Sequence, residues 1–330
     1  MKNEIEEQYG LNVLQFFKHG QYEAFRTRRN ICLIVPVSNL EDEELYEMYQ
    51  MAQHMLEKKE RNVAMFLQTK QGTLRFQYEN ETYSIVQIPF YSLDQEESIT
   101  GKGLAKFHQR GRSFAFQVTK TNRIGKWKGL WEKRLDQLEM FWRGKIYTKP
   151  LESFDRLFTE SFPYYVGLCE NAIQYLVDTE LDDDPYPVDS ATICYQRFTP
   201  DLFHHSKCKL PTEWVYDHAS RDIAEFIRYE FVQNHRVVNS TFLDEYERTT
   251  PLSSFFWRLI FSRLLFPVHY FECIENYYIA QDDESRNSFK NELQLILDNT
   301  NNYEQLLTSF SSMLSIRTRK IHLPKIHWLS

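Results

Sequence analysis

Glycine is scarce in this sequence. Only 10 of the 330 residues are glycine, roughly half of the usual share of about 7%. Because glycine allows the backbone to approach a phosphate group closely, few segments could wrap around a nucleotide. The segment before Phe25 contains only Gly10 and Gly20 and no G-x-G-x-x-G pattern. The scarcity therefore argues against a nucleotide-dependent enzyme.

Paired cysteines and long uninterrupted apolar runs are also lacking. The five cysteines are scattered and form no C-x-x-C pair, which argues against a disulfide framework and suits a reducing compartment. The most apolar run, 253–271, is interrupted by Arg258, Arg263 and Pro267, so it predicts a pair of buried helices rather than a membrane span. The N-terminus, MKNEIEEQYG, is acidic and lacks the apolar core of a secretory signal. We therefore predict a soluble, intracellular protein.

The sequence also has no excess of basic residues. The formal net charge of −7 gives no general footprint for nucleic acid, whose binding depends on many Lys and Arg contacts with phosphates. The short basic end, 317–325, is interleaved with apolar residues, and we interpret it as a docked tail rather than as an arm that binds a partner. Neither nucleic acid nor a membrane is expected as a partner.

Aromatic side chains are abundant. They make up 15% of the sequence, as 25 Phe, 20 Tyr and 6 Trp. Aromatic residues are enriched in the cores of protein interfaces, and the same richness also fits a large internal core. The length of 330 residues predicts two lobes or two domains.

The first ninety residues predict a small sheet with one helix. Five strands are predicted, the first two as a hairpin-like pair: 22–27, 30–37, 63–68, 73–78 and 83–88. Ser38 and Glu41 form the pattern of a capping box, and the apolar residues of 45–56 follow it at helical spacing.

Beyond Pro89 the pattern becomes helical. Helices are predicted at 103–110, 127–142, 152–178, 221–234, 252–279, 286–299 and 303–315, with one β-like island at 191–214. One helix carries an apolar, largely aromatic stripe that we interpret as core packing: Trp127, Leu130, Trp131, Leu135, Leu138, Phe141 and Trp142. This order predicts an α+β, protein-kinase-like fold, with a small antiparallel-sheet N-lobe containing one helix over 1–90 and a larger, mostly helical C-lobe over 91–330.

Three stretches strengthen that likeness: GLAKFHQRGRSF (103–114), RIGKWKGLWEKRLDQLEMF (123–141) and WVYDHASRDIAEFIR (214–228). They resemble the CotS-type, spore-coat branch of the aminoglycoside-phosphotransferase-like kinases of endospore-forming bacilli, and the likeness extends over nearly the whole chain. In that fold a nucleotide would bind between the two lobes.

The resemblance allows the chemistry to be checked residue by residue. Phosphoryl transfer in kinases needs a glycine loop over the phosphates, a lysine on the third strand, a carboxylate near the attacking hydroxyl, and metal ligands. The strand best placed to carry the lysine, 30–37, contains none. The family's catalytic loop, H-G-D-x-x-x-x-N, falls on Tyr195, Gln196 and Arg197, with Leu202 at the asparagine position. A guanidinium accepts no proton and an aliphatic chain binds no metal, so the base and one metal ligand are expected to be lost.

Three aspartates remain as candidates. Asp201 is one residue from the asparagine position and could restore a metal ligand. The resemblance places the family's structural aspartate at Asp222, where it would cap its helix and brace the catalytic loop. Asp217 lies only five residues earlier. Either the loop between the two is shortened and Asp217 is the metal ligand, or the metal-binding aspartate is gone and Asp217 is an ordinary turn residue, which we favour.

Other constellations carry weaker signals. Cys194, His204, His205 and Cys208 could suggest zinc, but C-x9-H-H-x2-C is not a familiar ligand spacing. Cys194 on an apolar strand is interpreted as a small buried hydrophobe rather than a nucleophile. We read the acidic run 182–184 as a solvated turn.

Arg197 has an alternative predicted role, which is structural rather than catalytic. It could pair with Asp217 or Asp222 and hold the former active site shut.

We therefore predict a catalytically inactive, kinase-like component of the endospore coat, made in the mother-cell cytoplasm, with other coat proteins as partners and no cofactor or metal. Two alternatives stay open. One is an active phosphotransferase, acting on a small molecule or a coat protein with rearranged metal ligands. The other is a pseudokinase that senses nucleotide without turnover. Both alternatives would bind ATP and Mg.

Overall fold

The computed structural model describes residues 1–89, 100–147, 152–199, 208–234 and 240–317. Within these residues the strands are β1 Gln15–His19, β2 Tyr22–Arg26, β3 Ile31–Pro36, β4 Met65–Phe66, β5 Phe76–Tyr78, β6 Glu81–Ile88, β7 Thr192–Tyr195 and β8 Trp214–Asp217. The helices are α1 Lys2–Tyr9, α2 Asp42–Glu57, α3 Gly101–Gly111, α4 Trp127–Ile146, α5 Ser153–Asp182, α6 Ser220–Asn234, α7 Ser240–Thr249, α8 Ser254–Leu265, α9 Val268–Ile279, α10 Asp283–Asp298 and α11 Thr300–Arg317. The predicted α+β class, with an antiparallel sheet first and a mostly helical remainder, is confirmed.

The main sheet is antiparallel and has the order β1-β2-β3-β6-β4, with β5 pairing to β6. The predicted pairing of the first two strands is confirmed as β2 against β3. The sequence pattern missed α1 and β1. Helix α1 buries only Ile5, and β1 has no fully buried residue, so neither leaves a strong apolar period. The predicted lobe boundary at residue 90 lies outside the described residues and stays a prediction.

The predicted start of α2 is wrong by one turn. The capping box is formed by Glu41 and Glu44, and Glu41 is the N-cap. Ser38 donates its hydroxyl to a Glu81 carboxylate oxygen at 2.6 Å instead. It also accepts from the Thr82 N–H at 2.9 Å. Ser38 is therefore part of the turn that binds β6, and the capping pattern begins three residues later.

The chain divides into two compact units. The first comprises 1–124, 190–226 and 240–251, and the second 125–189, 227–239 and 252–330. The first unit holds both sheets, with α2 packed on one face of the main sheet. It also contains α3 and α7, which approach each other through glycine: a Cβ on Gly101 would meet the Phe242 carbonyl oxygen at 1.8 Å. At the other end of α3, a Cβ on Gly111 would lie 2.4 Å from the Thr192 hydroxyl. Both ends of α3 thus need glycine for close packing.

The second unit is a helical assembly around α5. On α4, Trp127, Trp131, Leu135 and Leu138 are buried as predicted. Leu130 and Phe141 are 44% and 39% exposed, so the predicted core stripe is wrong at those two positions, because the buried face of α4 is narrower than the apolar pattern. The acidic run is more than a solvated turn, since Arg258 pairs with Asp182 at 3.1 Å and Asp183 at 3.2 Å.

The predicted pair of buried helices at 252–279 is confirmed as α8 and α9, which are separated at Pro267. Among the described helices, none combines the length and apolar character that crossing a membrane requires.

Candidate functional site

The predicted catalytic corner forms around the small ladder of β7 and β8. The two strands are antiparallel, with Thr192 opposite Asp217 and Tyr195 opposite Trp214. Tyr195 therefore ends β7 and leads into Gln196 and Arg197, while Asp217 ends β8. The predicted β-like island at 191–214 matches β7 and the start of β8, which continues three residues further, to Asp217.

Asp222 accepts from the backbone of the catalytic loop. Its carboxylate oxygens lie 3.0 and 3.2 Å from the Tyr195 N–H nitrogen, and Asp222 is fully buried. It lies in the first turn of α6 rather than ahead of it, so its position is not that of an N-cap. A buried carboxylate in this position fixes the direction in which the chain leaves β7.

A buried hydrogen-bonded chain extends from Asp222 to α7. The His108 Nε2 lies 3.0 Å from Asp222, and its Nδ1 lies 2.7 Å from the Tyr246 hydroxyl. Burial, with the charge of Arg112 second, lowers the pKa of His108 well below its usual value. Burial also raises the pKa of Tyr246. Hence Tyr246 donates to a neutral imidazole, which donates its other N–H to Asp222.

Asp217 is not an ordinary turn residue. It is the last residue of β8 and is fully buried. One carboxylate oxygen accepts the His218 N–H at 2.8 Å, and the other lies 2.7 Å from the Arg221 guanidinium. The prediction of an ordinary turn residue is therefore wrong, because Asp217 ends a strand and its carboxylate is buried. Whether Asp217 corresponds to the family's metal-binding aspartate stays a prediction.

Arg221 also reaches the end of β7. Its Nε lies 3.0 Å from the Tyr195 carbonyl oxygen, and its Nη2 lies 3.3 Å from that of Gln196. Burial opposes the charged form, yet the carboxylates of Asp217 and Glu225 outweigh it and raise the pKa of Arg221. A permanent positive charge thus lies between the catalytic loop and Asp217.

Arg197 is the residue that the family resemblance aligns with the catalytic base, an assignment that stays a prediction. Its Nη1 lies 3.8 Å from a Glu225 oxygen, whereas the guanidinium at Asp217 belongs to Arg221. The neighbouring Gln196 N–H donates to the Glu213 carbonyl oxygen at 2.7 Å. Asp201, Leu202, His204 and His205 lie outside the described residues, so their predicted roles stay predictions.

The third strand of the sheet is apolar on both faces. Ile31, Leu33 and Val35 belong to one buried cluster, and Cys32 and Ile34 to another. Because side chains of a strand alternate between faces, a phosphate-pairing lysine would have to replace a buried aliphatic or cysteine side chain whichever face it used.

The segment that returns to β8 covers one of these faces. Cys208 and Leu210 belong to the same buried cluster as Leu33 and Val35. Lys209 between them forms a ladder contact with Val63 and pairs with Glu60 at 3.2 Å. The chain itself therefore fills the surface of the sheet on the side that holds α2.

The hairpin between β1 and β2 is short. His19 pairs directly with Tyr22, so only Gly20 and Gln21 form the turn, and Gly20 adopts a φ of 59°. A two-residue turn offers few amide groups to cover a row of phosphates. Together with the apolar third strand and the guanidinium on Asp217, it means that the described residues do not fit a magnesium nucleotide.

One buried group has the composition of a metal site. His108, Cys194 and Asp222 place their ligand atoms within 4.8 Å of one another. Both nitrogens of His108 are already engaged, by Tyr246 and Asp222. Burial and the two nearby carboxylates, Asp222 and Asp217, raise the pKa of the Cys194 thiol well above its usual value. The cluster therefore acts as a hydrogen-bonded core, and Cys194 is a buried thiol rather than a nucleophile.

Sequence reasoning missed three contributors to this corner, namely His108, Tyr246 and Arg221. His108 and Arg221 both lie within the stretches that carry the family resemblance, which was the available signal. Tyr246 lies on α7, a helix that was not predicted.

Comparison with known proteins identifies relatives of the whole chain. The family model described as Spore coat putative kinase YutH matches residues 2–310. The Endospore coat-associated protein YutH of Bacillus subtilis (strain 168) is 45% identical over 336 residues, covering 100% of this chain and 98% of that protein.

Solved structures with the same fold are phosphotransferases. An aminoglycoside phosphotransferase from Alicyclobacillus acidocaldarius has a TM-score of 0.64 at 16% identity, covering 93% of this chain and 94% of its own. The spectinomycin phosphotransferase APH(9)-Ia, in complex with ADP and spectinomycin, has a TM-score of 0.61 at 12% identity, covering 94% and 97%. At such identities the likeness establishes the kinase-like fold alone.

Proposed function

The chain belongs to the family described as Spore coat putative kinase YutH, and we propose that it is a catalytically inactive, kinase-shaped component of the endospore coat. In this role it is made in the mother-cell cytoplasm, and it contributes surface for other coat proteins rather than phosphoryl transfer. The coat location is inferred from the name of the related protein, which is coat-associated in Bacillus subtilis.

The observation that carries the proposal is the third strand. Leu33 and Val35 are 0% and 4% exposed and pack with Cys208 and Leu210 of the same unit. A kinase needs a lysine on this strand to neutralise phosphate charge. A buried charge without a partner costs several kcal/mol, so this apolar surface could not accept a triphosphate without rearrangement.

The catalytic loop supports the same proposal. Arg197 replaces a carboxylate that would take a proton from the attacking hydroxyl, and a guanidinium has no acceptor. Its guanidinium pairs with Glu225, at 3.8 Å. Both the proton acceptor and the phosphate-binding cation are thus replaced.

One observation favours a second candidate, a nucleotide-binding protein. Asp217 remains at the end of β8 and is fully buried, as a metal-binding carboxylate at that position could be. If Arg221 were displaced, Asp217 could take part in binding Mg and ATP. This candidate includes both the nucleotide-sensing and the active alternatives.

Thermal unfolding with and without Mg-ATP tests the choice. A ligand at about 100 times its dissociation constant adds about 2.7 kcal/mol of stability, which shifts the midpoint measurably. We expect no shift up to millimolar Mg-ATP and no phosphate release or transfer. A shift without product would support the sensing alternative. A shift with transfer that Asp217→Asn abolishes would overturn the proposal.

A complementation experiment tests the structural role. Spores from an endospore-forming host that lacks the chain are compared with spores that carry the wild type or Asp217→Asn, by the protein composition of the extracted coat. We expect loss of the chain to change the composition and Asp217→Asn to restore it. A variant that accumulates normally but fails to restore the coat would contradict a purely structural role.

A further inference from the structure

We propose that Arg221 is a built-in cation that takes the place of a divalent metal ion at Asp217, and that removing it creates a divalent-cation site. The inference rests on the proposed function, since a corner that handles no nucleotide needs no exchangeable metal. It concerns Arg221, the end of β7 and the end of β8.

The guanidinium is surrounded by oxygen atoms from two strands. Its Nη1 lies 2.7 Å from the Asp217 Oδ2, and its Nε lies 3.0 Å from the Tyr195 carbonyl oxygen. The Gln196 carbonyl oxygen lies 3.3 Å from Nη2 and 3.4 Å from Nε. One carboxylate and two backbone carbonyls therefore converge on a single cation.

This donor set is the one that hard divalent cations use in proteins. Calcium and magnesium are bound by carboxylate and carbonyl oxygens. A guanidinium is planar and carries several donors in a fixed fork, so it can reach three acceptors at once. It therefore makes, from inside the chain, the link between two backbone segments that an ion would otherwise make.

Because Arg221 and Asp217 are buried, removal of the positive charge of Arg221 should destabilise the protein. The side chains of Arg221 and Asp217 are 11% and 0% exposed, so removal of Arg221 would take a close ion pair away from a buried carboxylate. Glu225 is 5% exposed and adds a second negative charge near Arg221. Its own ion pair is with Arg197. Loss of Arg221 therefore removes one positive charge from a group of oxygen ligands that includes the Asp217 carboxylate.

The wild-type protein should accordingly be indifferent to divalent ions at this corner, and a variant without the guanidinium should depend on them. The experiment uses the full chain without any nucleotide. Thermal midpoints are measured for wild type, Arg221→Ala, and Arg221→Ala combined with Asp217→Asn, each with EDTA, millimolar MgCl2 or MnCl2, or methylguanidinium chloride.

We expect Arg221→Ala to lower the midpoint by about 5 °C or more in EDTA, and Mn²⁺ or methylguanidinium to recover at least half of the loss. The double variant should not respond, because the carboxylate is gone. An Arg221→Ala midpoint equal to that of wild type, or one that neither Mn²⁺ nor methylguanidinium raises, would overturn the inference.

A direct binding measurement covers the case in which Arg221→Ala unfolds. Arg221→Met keeps an unbranched side chain but loses the charge, and it should fold with a smaller deficit than Arg221→Ala. Titration of Mn²⁺ followed by electron paramagnetic resonance should show one bound ion in whichever of these variants folds, and none in wild type. Arg197→Ala in the same background tests whether the neighbouring guanidinium replaces Arg221. If Mn²⁺ fails to bind even then, the inference is wrong.

The outcome is independent of the nucleotide test. Wild type could bind and turn over Mg-ATP, which would contradict the proposed inactivity, while Arg221→Ala still bound Mn²⁺ alone. Conversely, wild type could fail to bind Mg-ATP while the variant also failed to bind Mn²⁺. That result would support the proposed function and contradict the inference about Arg221.

Discussion

The corner around β7 and β8 and the third strand of the sheet differ in how polar their buried side chains are. The corner keeps a buried polar framework, in which Asp222 binds Tyr195 and His108, and Arg221 binds Asp217. The third strand keeps no polar group on either face of the sheet. The corner thus holds buried polar groups that position the backbone, whereas the third strand carries only apolar and cysteine side chains on its two buried faces.

The difference follows from what each region does in the folded chain. A buried carboxylate that accepts backbone N–H groups cannot be removed without leaving those groups unpaired. A lysine that serves only a ligand can be replaced by an aliphatic side chain, which then gains burial. The fold therefore needs the first kind of polar residue whether or not the protein binds a nucleotide, and it does not need the second kind.

The largest expected effect tests the framework. Asp222→Ala should lower the free energy of unfolding by about 4 kcal/mol, because the Tyr195 N–H and the His108 N–H would lose their buried acceptor. Urea unfolding followed by circular dichroism measures it. Asp136→Ala, at an exposed position of α4, is the matched control and should change stability by no more than about 0.5 kcal/mol. A cost for Asp222→Ala close to that of the control would mean that the corner is not held by this carboxylate.

The second effect tests the apolar strand by restoring what a kinase would have there. Leu33→Lys should cost about 3 kcal/mol and give no response to Mg-ATP, since Leu33 is fully buried among apolar groups. Leu33→Met keeps the volume and should cost less than about 1.5 kcal/mol. A stable Leu33→Lys protein that melts higher with Mg-ATP would show that this face is still an open phosphate site.

The sequence predicted individual residues of the corner better than the hydrogen bonds between them. Asp222 could be assigned from its Asp-Ile-Ala context, and the missing lysine could be read directly from 30–37. The partners could not be assigned, because His108 and Tyr246 lie 114 and 24 residues away from Asp222 in the chain. Only the close packing of α3 on α7 through Gly101 brings them together.

The role of Asp217 was misjudged for a related reason. Its distance from Asp222 was compared with the spacing of the family, and the shortened loop was the less favoured reading. Pairing of β8 with β7 shows that Asp217 ends a buried strand. Burial, which a spacing rule does not report, decides its environment. Likewise, Asp217 and Arg221 are four residues apart, but Asp217 lies on a strand, so the helical spacing rule for ion pairs gave no signal.

A third effect concerns Glu47, a buried carboxylate on α2, the helix that packs on the main sheet. Glu47 of α2 is 4% exposed. One of its oxygens accepts from Thr119 N–H and Lys120 N–H, and the other accepts from Thr121 N–H. Burial opposes ionisation, but these bonds prevail and lower the pKa of Glu47. Glu47→Gln should therefore cost about 2 kcal/mol at neutral pH.

The pH dependence of that cost gives the control. A depressed carboxyl pKa contributes stability above the unfolded value of 4.5, and the contribution is lost as the pH falls through the folded value. The difference in stability between wild type and Glu47→Gln should hence shrink below about pH 4.5. A difference that stays constant down to pH 3 would assign the cost to packing rather than to the charge.

The smallest effect is the pH dependence of stability that comes from the buried, neutral imidazole of His108. The folded pKa of His108 lies well below the unfolded value of 6.5, so the unfolded chain takes up a proton that the folded chain refuses. Stability from this group is present above that value and should fall by about 1.4 kcal/mol per pH unit below it. Comparing urea unfolding from pH 7 to pH 5 should show a shallower slope for His108→Gln than for wild type. His19→Gln, on the half-exposed edge strand β1, should keep the wild-type slope. If the slope of His108→Gln equals that of wild type, His108 takes up its proton at the same pH in the folded and the unfolded chain, and the neutral imidazole between Tyr246 and Asp222 is wrong.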